Sequence, residues 1–200
     1  MARPKRPDLR SLILGLAAIA AAAFVLNYFG TWKLSPPDSE TTVAIGGPFS
    51  LTDQDGKKRS DAEFRGKIML VYFGYTDCPD VCPLTLQNMG AALNSLGDKG
   101  QSIVPIFITV DPERDTVAKM KEYAARFSPR LVALTGAPDD VAAAAKAYRV
   151  YYAKHEESGG GYSIDHTSLI YLMDRDGRYL THFSPDVSPQ DMAAGIANYL

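Results

Sequence analysis

Residues 73–83 read Phe73-Gly74-Tyr75-Thr76-Asp77-Cys78-Pro79-Asp80-Val81-Cys82-Pro83, and they hold both cysteines of the 200-residue chain. An apolar run at 68–73 leads into this segment, and an amphipathic run at 84–96 follows it. The pattern predicts a buried strand, a short turn and a helix whose first turn carries both sulfurs. Because free N–H groups at a helix N-terminus stabilise a thiolate, the segment predicts reactive cysteines.

The residues around Cys78 and Cys82 leave three interpretations of the pair open. Their α-carbons are expected about 6 Å apart, which permits a disulfide. The same spacing suits a redox-active dithiol or a site for one soft metal ion that can also form a disulfide. A disulfide across so short a segment would constrain the unfolded chain little, so a purely structural bridge is the least favoured.

Composition excludes several classes of function. Apolar residues make up 46% of the chain, enough for a hydrophobic core. The net charge is −2 and the only basic run lies in the first ten residues, so nucleic acid is not an expected partner. Two cysteines are too few for a small domain built on disulfides.

The N-terminal region predicts attachment to a membrane. Residues 1–11 form a basic cytoplasmic tail, and residues 12–29 contain no charged residue and are expected to form one transmembrane helix as an anchor. Residues 30–42 read as a tether. The basic flank predicts a single-pass protein of the inner membrane, with the domain at 43–200 in the periplasm. A cleaved signal peptide is the alternative, but the apolar run continues past the alanines that imitate a cleavage site.

Strand and helix patterns alternate through the rest of the chain. Asp55-Gly56 predicts a β-hairpin at the start of the domain. Further strands are expected at 103–110, 131–134, 167–173 and 179–183, and further helices at 116–127, 139–148 and 188–200. This order predicts a layered α/β domain with a largely parallel central sheet. A strand that feeds a helix beginning with two cysteines is typical of the thioredoxin-like fold.

Of the three histidines, His166 is the candidate to join the two cysteines. His155 lies in a Gly- and Glu-rich segment, and His182 lies on the last predicted strand. In a thioredoxin-like layout, the loop that holds His166 faces the cysteine helix, although a lone histidine is more often structural than a ligand. Two thiolates and an imidazole suit copper or zinc; the sulfurs favour Cu(I), and the imidazole lets the site also hold Cu(II).

Residues 73–83 resemble the signature of the SCO/SenC family, membrane-anchored copper proteins that assist cytochrome c oxidase assembly. Thr109-Val110-Asp111-Pro112-Glu113-Arg114-Asp115-Thr116 and Asp165-His166 match the family's other landmarks in the same order. The resemblance covers roughly residues 43–199 and the anchor. It implies a thioredoxin-like fold with Cys78, Cys82 and His166 as ligands of copper, as Cu(I) and as Cu(II). Asp77 is a candidate for an outer carboxylate near the metal.

The function that this resemblance implies is that of a membrane-anchored copper chaperone. It would receive copper from an upstream donor protein and deliver it to cytochrome c oxidase, at the dinuclear copper centre of subunit II. A disulfide between Cys78 and Cys82 would control loading, because only thiolates bind the metal. The alternative is a thiol–disulfide oxidoreductase that reduces cysteines of the same client, so enzymatic activity stays an open question.

Overall fold

The computed structural model describes residues 9–30, 44–128 and 130–200. The chain divides into two units, Met1–Thr42 and Val43–Leu200. In the first unit, helix α1 covers Leu9–Gly30. Among the residues that the structure describes, no helix is both long and apolar enough to cross a membrane, so the transmembrane helix predicted at 12–29 is not found. Residues 1–8 of the predicted basic tail and residues 31–42 of the predicted tether lie outside the described residues.

The described residues of the second unit contain nine strands in two separate sheets. The strands are β1 (Ser50–Asp53), β2 (Lys58–Ser60), β3 (Ile68–Gly74), β4 (Ile103–Thr109), β5 (Val132–Thr135), β6 (Tyr152–Glu156), β7 (Tyr162–His166), β8 (Ile170–Met173) and β9 (Tyr179–Phe183). Seven of them form one sheet in the order β2-β1-β5-β4-β3-β8-β9, and β6 pairs with β7 alone.

The central sheet is parallel only at its middle. β3 pairs with β4 and β4 with β5 in parallel, whereas all other neighbours are antiparallel. The expectation of a largely parallel sheet is therefore wrong at both edges. Strands joined by a short turn can only pair antiparallel, which explains β1 with β2 and β8 with β9. The predicted N-terminal hairpin is confirmed, and Gly56 takes the positive φ of 79° that its turn requires.

Where the structure describes the second unit, five α-helices accompany the sheet: α2 (Val81–Ser95), α3 (Asp98–Gln101), α4 (Val117–Ala124), α5 (Pro138–Ala147) and α6 (Pro189–Ala197). A short 3-10 helix covers Asp61–Phe64. Alternate side chains of β3 enter two different cores, as the period of two in a strand demands. Leu70 and Tyr72 pack with α2, α4 and α6, whereas Val71 and Phe73 pack with α5 on the opposite face. Because β3 is buried throughout, the predicted layered α/β domain is confirmed.

The segment between α5 and β8 is a hairpin of its own. β6 and β7 pair antiparallel, with Tyr152 opposite His166 and Glu156 opposite Tyr162. The hairpin shares no strand ladder with the seven-stranded sheet among the described residues. An isolated two-stranded hairpin is marginally stable, so contacts of its side chains must fix its position.

Candidate metal centre

The first turn of helix α2 carries one sulfur, whereas the sequence pattern predicts two. The helix starts at Val81 with Asp80 as the N-cap residue, so Cys82 lies in the first turn and Cys78 lies in the loop before it. Pro83 explains the difference. In a helix that starts at Val81, Pro83 is the third residue, whose N–H would have no partner. A start at Pro79 would place Pro83 at the fifth position, where its ring clashes with the carbonyl of residue 79.

The Cys82 thiol is held at the junction of β3 and α2. Its side chain is fully buried. The hydroxyl of Tyr72 on β3 donates a hydrogen bond to Sγ at 3.5 Å. On the same strand, Gly74 has no side chain, and a Cβ there would lie only 2.8 Å from Sγ. The position of this sulfur is therefore set by the strand as much as by the helix.

Cys78 is the thiolate of the pair. Its side chain is half-buried, and Sγ accepts a hydrogen bond from the backbone N–H of Cys82 at 3.4 Å. Hydrogen bonds from the Cys82 thiol and from His166 lower the pKa of Cys78 well below that of an ordinary thiol, and they outweigh the opposing effect of burial. The backbone N–H groups of Cys82 and Asp80 at the start of α2 lower the pKa of Cys78 further, in the direction that the sequence predicts.

Cys82 has the opposite ionisation behaviour. Its hydrogen bond to Cys78 and its burial raise the pKa of the Cys82 thiol. Both cysteines are free in the structure. The pair therefore consists of a half-buried thiolate, Cys78, and a buried thiol, Cys82. This is the arrangement expected of a nucleophilic cysteine with a second cysteine that can form a disulfide with it.

His166 approaches the two sulfurs from the hairpin. It is the last residue of β7 rather than a residue of the loop that enters β8. Its Nε2 lies 3.6 Å from Sγ of Cys82, although 84 residues separate the two in sequence. Its Nδ1 lies 3.1 Å from the carbonyl oxygen of Thr167. A proton on Nδ1 would make that bond, and Nε2 is then the ring nitrogen that faces the sulfurs.

Aromatic rings surround this histidine. The ring centroids of Tyr72 and Tyr75 lie 6.2 and 6.0 Å from that of His166, both edge to face. Within residues 9–30, 44–128 and 130–200, no group of three or more His, Cys, Asp or Glu side chains forms a ready cluster for a metal ion. The contacts among the two cysteines and His166 are pairwise.

Two of the acidic residues near the cysteines, Asp77 and Asp111, pair with cations. Asp77 lies 2.7 Å from Nζ of Lys119 and 3.6 Å from Nε of Arg114. Asp80 makes no side-chain hydrogen bond to the helix that it precedes. Asp111 is fully buried and binds Arg114. The other two histidines lie elsewhere: the Nε2 atom of His155 is 2.9 Å from Asp165, and the Nδ1 atom of His182 is 2.5 Å from the hydroxyl of Tyr179.

Sequence reasoning missed the role of Asp115 behind the cysteine loop. This carboxylate is buried and accepts hydrogen bonds from the backbone N–H of Thr76 at 3.0 Å and from its hydroxyl at 2.5 Å. The hydroxyl of Thr109 donates a third at 2.6 Å. Asp115 thus ties the residue two before Cys78 to the end of β4. The signal that could have found it is the polar motif at 109–116, which follows a buried strand.

The family to which this chain is related follows from its similarity to known proteins. The family model described as SCO1/SenC matches residues 37–200. The chain belongs to the SCO1/SenC family. A SCO2-like protein of Rickettsia prowazekii is 39% identical over 188 residues, which are 91% of this chain and 90% of that protein. The mitochondrial SCO1 homolog 1 of Arabidopsis thaliana is 41% identical over 155 residues, 77% of this chain and 46% of that longer protein.

Solved structures of Sco proteins have the same fold. Bradyrhizobium japonicum ScoI with copper bound has a TM-score of 0.73 and 48% identity, over 78% of this chain and all of that one. BsSco, described as a member of the Sco family of cytochrome c oxidase assembly proteins, has a TM-score of 0.62 at 24% identity and covers 81% of this chain. The predicted thioredoxin-like fold is confirmed. The solved structures thus include a relative, 48% identical to this chain, that has copper bound.

Proposed function

We propose that this protein binds copper through Cys78, Cys82 and His166 and delivers it to cytochrome c oxidase. The observation that carries the proposal is the distance of 3.6 Å between Nε2 of His166 and Sγ of Cys82. Helix α2 holds Cys82, and the separate β6–β7 hairpin brings His166 to it. The relative with copper bound is 48% identical to this chain. A metal ion between the three side chains would satisfy groups that now meet only in pairs.

The chemistry of the donor set fits copper in both oxidation states. Thiolates are soft ligands that prefer Cu(I), and imidazole extends the site to Cu(II). The lowered pKa of Cys78 means that one thiolate is available at neutral pH without help from the metal. Cys82 would lose its proton on binding, so loading releases acid.

Metal analysis of the purified chain tests this ligand set. The reduced protein should take up about one copper ion, and the variants Cys78→Ser, Cys82→Ser and His166→Ala should each bind it more weakly by about tenfold or more. The matched control is His155→Ala, because His155 is exposed and pairs with Asp165 instead of a sulfur. An unchanged copper affinity in His166→Ala would refute the proposed ligand set.

Delivery to the dinuclear copper centre of subunit II is the second part of the proposal. Its support is the half-buried position of Cys78, which lets a partner's thiolate reach a copper ion held there. The experiment mixes the copper-loaded chain with the metal-free copper domain of subunit II and follows the absorption of the assembled centre. Transfer should fail with His166→Ala. Supply of copper by an upstream donor protein belongs to the same proposal. It is tested by mixing the copper-loaded donor with the metal-free chain and measuring the copper that the chain takes up.

A thiol–disulfide oxidoreductase is the second candidate function, and the ionisation of the pair favours it. The Cys78 thiolate would attack a disulfide of the client, forming a mixed disulfide and releasing one client thiolate. Cys82 would then pass its proton to the client thiolate released first and attack Cys78, which releases the second client thiolate and leaves Cys78–Cys82 oxidised. This reaction needs no imidazole. Full reductase activity of His166→Ala toward a client disulfide, with copper transfer lost, would separate the two functions.

A further inference from the structure

The hairpin that carries His166 is fastened to the domain at its other end by Arg114, and Lys154 on β6 adds an exposed ion pair with Glu113 at 2.7 Å. β7 begins at Tyr162 and ends at His166, so the two side chains point to the same face of the strand. Nη1 of Arg114 donates a hydrogen bond to the carbonyl oxygen of Tyr162 at 2.9 Å. The guanidinium carbon lies 3.7 Å from the centre of the Tyr162 ring, which is a close cation–π contact.

A buried carboxylate completes this fastening. Nε of Arg114 donates to Oδ2 of Asp111, and the hydroxyl of Tyr162 donates to Oδ1 of the same residue at 2.8 Å. Asp111 is fully buried at the end of β4. The backbone carbonyl, the ring and the hydroxyl of Tyr162 are therefore all bound by two residues of the motif at 109–116. Hydrogen bonds of this charge-assisted kind are the strong ones in proteins.

The same arginine reaches the cysteine loop. Its Nε lies 3.6 Å from Oδ2 of Asp77, the residue directly before Cys78, and its guanidinium carbon lies 5.8 Å from the ring of Tyr75. The hydroxyl of Tyr75 accepts a weak hydrogen bond from the N–H of Ile164 at 3.4 Å, halfway along β7. Arg114 thus contacts both of the segments whose side chains meet at the sulfurs.

We propose that Arg114 is a positioning residue that holds the β6–β7 hairpin at the distance from which His166 reaches Cys82. Among the described residues the hairpin has no ladder to the main sheet, so its alignment depends on side-chain contacts, and those at Tyr162 act beside the burial of Ile164 and the ion pair of Lys154 with Glu113. Without them the hairpin would swing about its attachment and the imidazole would leave the sulfurs. The proposal rests on the proposed copper site for its consequence, but the fastening itself is independent of any metal.

Hydrogen exchange of the metal-free full chain tests the fastening directly. In Arg114→Met, the amides of residues 152–166 should exchange at least about tenfold faster, because a hydrogen bond to a charged group is lost. Arg114→Lys keeps the charge but not the planar fork and should give an intermediate rate. In Tyr162→Phe, only the bond to Asp111 is removed, and the rate should rise less than in Arg114→Met. Exchange of the hairpin within about twofold of wild type in Arg114→Met would overturn the proposal.

Copper binding gives the second readout. The Cu(II) affinity of Arg114→Met should fall by about tenfold or more, and the sulfur-to-copper absorption band should weaken. Arg114→Lys should restore part of both. Adding His166→Ala to Arg114→Met should cost little further affinity, because both changes remove the same ligand. Additive losses would mean that Arg114 acts other than through His166, which would also overturn the proposal.

The control is Arg178→Met. Arg178 is exposed and pairs with Asp174 at 2.9 Å in the turn between β8 and β9, so it resembles Arg114 in chemistry and not in place. It should leave the exchange of residues 152–166 and the copper affinity unchanged. If His166→Ala itself has normal copper affinity, the proposed ligand set fails, whereas the exchange data still decide whether Arg114 fastens the hairpin.

Discussion

Gly74 and Cys82 approach each other so closely that a methyl group on Gly74 would lie 2.8 Å from the cysteine sulfur. The same methyl group would lie 3.0 Å from the ring of Phe107 on the neighbouring strand β4. Real Cβ atoms do not tolerate such a distance, so the bare α-carbon is what allows a sulfur to lie against the end of β3.

We expect Gly74→Ala to disturb the site and the fold together. The extra methyl group should destabilise the domain by about 1–3 kcal/mol and displace Sγ of Cys82. Copper affinity should fall as a result. Gly90→Ala in α2 is the matched control, because no atom lies within 4 Å of a Cβ there and alanine is the better helix former. Denaturant unfolding and copper titration of both variants measure the effect, and normal affinity in Gly74→Ala would contradict it.

The two thiols should react with an alkylating agent at very different pH. Hydrogen bonds from the Cys82 thiol and His166 lower the pKa of Cys78, whereas burial and the bond to Cys78 raise that of Cys82. In the reduced, metal-free protein, Cys78 should therefore be alkylated rapidly below pH 7 while Cys82 stays unmodified. Mass spectrometry of the modified peptides over a range of pH measures both rates.

Variants at Cys82 test the cause of the Cys78 shift. Cys82→Ala removes the strongest donor to the Cys78 sulfur, so the alkylation midpoint of Cys78 should move upward toward that of an ordinary thiol. Cys82→Ser retains a hydroxyl donor and should move it less. Identical midpoints in the two variants would show that the hydrogen bond is not the main cause.

The N-terminal hairpin should contribute a stability that acid removes. Burial opposes ionisation of Asp53, but the ion pair with Arg59 at 2.8 Å and the N–H groups of Lys57 and Asp55 outweigh it and lower the pKa of Asp53. A carboxyl with a lowered folded pKa stabilises the fold above its unfolded pKa, and this contribution disappears as the pH falls through the folded value. The free energy of unfolding should therefore drop between about pH 5 and pH 2, and less so in Asp53→Asn. Equal slopes for the two proteins would exclude Asp53 as the source.

The cysteine loop should be sensitive to the loss of one hydroxyl. Thr76→Val removes a donor to the buried Asp115 and should destabilise the domain by about 1–3 kcal/mol, whereas Thr76→Ser should not. Burial already raises the pKa of Asp115, and the hydroxyls of Thr109 and Thr76 oppose the rise, so Thr76→Val raises it further. When the pKa of a carboxyl group is higher in the folded than in the unfolded state, its contribution to the free energy of unfolding is fully present below the unfolded pKa. That contribution is lost as the pH rises through the folded pKa. The deficit of Thr76→Val should therefore be larger at pH 7 than at pH 4, and a pH-independent deficit would argue against this mechanism.

Local patterns were sufficient to predict most elements of the domain but not how they assemble. The apolar run at 68–73 and the turn signal Asp55-Gly56 fix a strand and a hairpin from neighbouring residues alone, and both are found. Strand order and the antiparallel edges depend on contacts between distant segments, which no local period encodes. The start of α2 at Val81 was predictable in principle, since it follows from where Pro83 is tolerated.

The site divides in the same way. The spacing of the two cysteines is enough to predict a site, whereas only the family resemblance favours His166 as a ligand over a structural histidine. From the sequence the segment before His166 is recognised only as rich in Gly and Glu, whereas the structure pairs five of its residues with five. Roles for Arg114 and Tyr162 could not be predicted from the sequence. The two residues are 48 positions apart, and Arg114 binds the backbone carbonyl and the ring face of Tyr162, contacts that no local sequence pattern indicates.

Because β6 and β7 pair only with each other among the described residues, their hairpin can open while the main sheet stays folded. Opening the hairpin would break five paired positions and the contacts at Tyr162 and withdraw Ile164 from one core, while the seven-stranded sheet stays paired. Such partial opening has a much smaller free energy than global unfolding. The transition temperature of the domain, which reports global unfolding, will consequently not reveal that His166 has left the site. Batches or variants with an undiminished transition temperature can differ widely in their ability to hold a cargo ion, and only a ligand-sensitive assay will sort them.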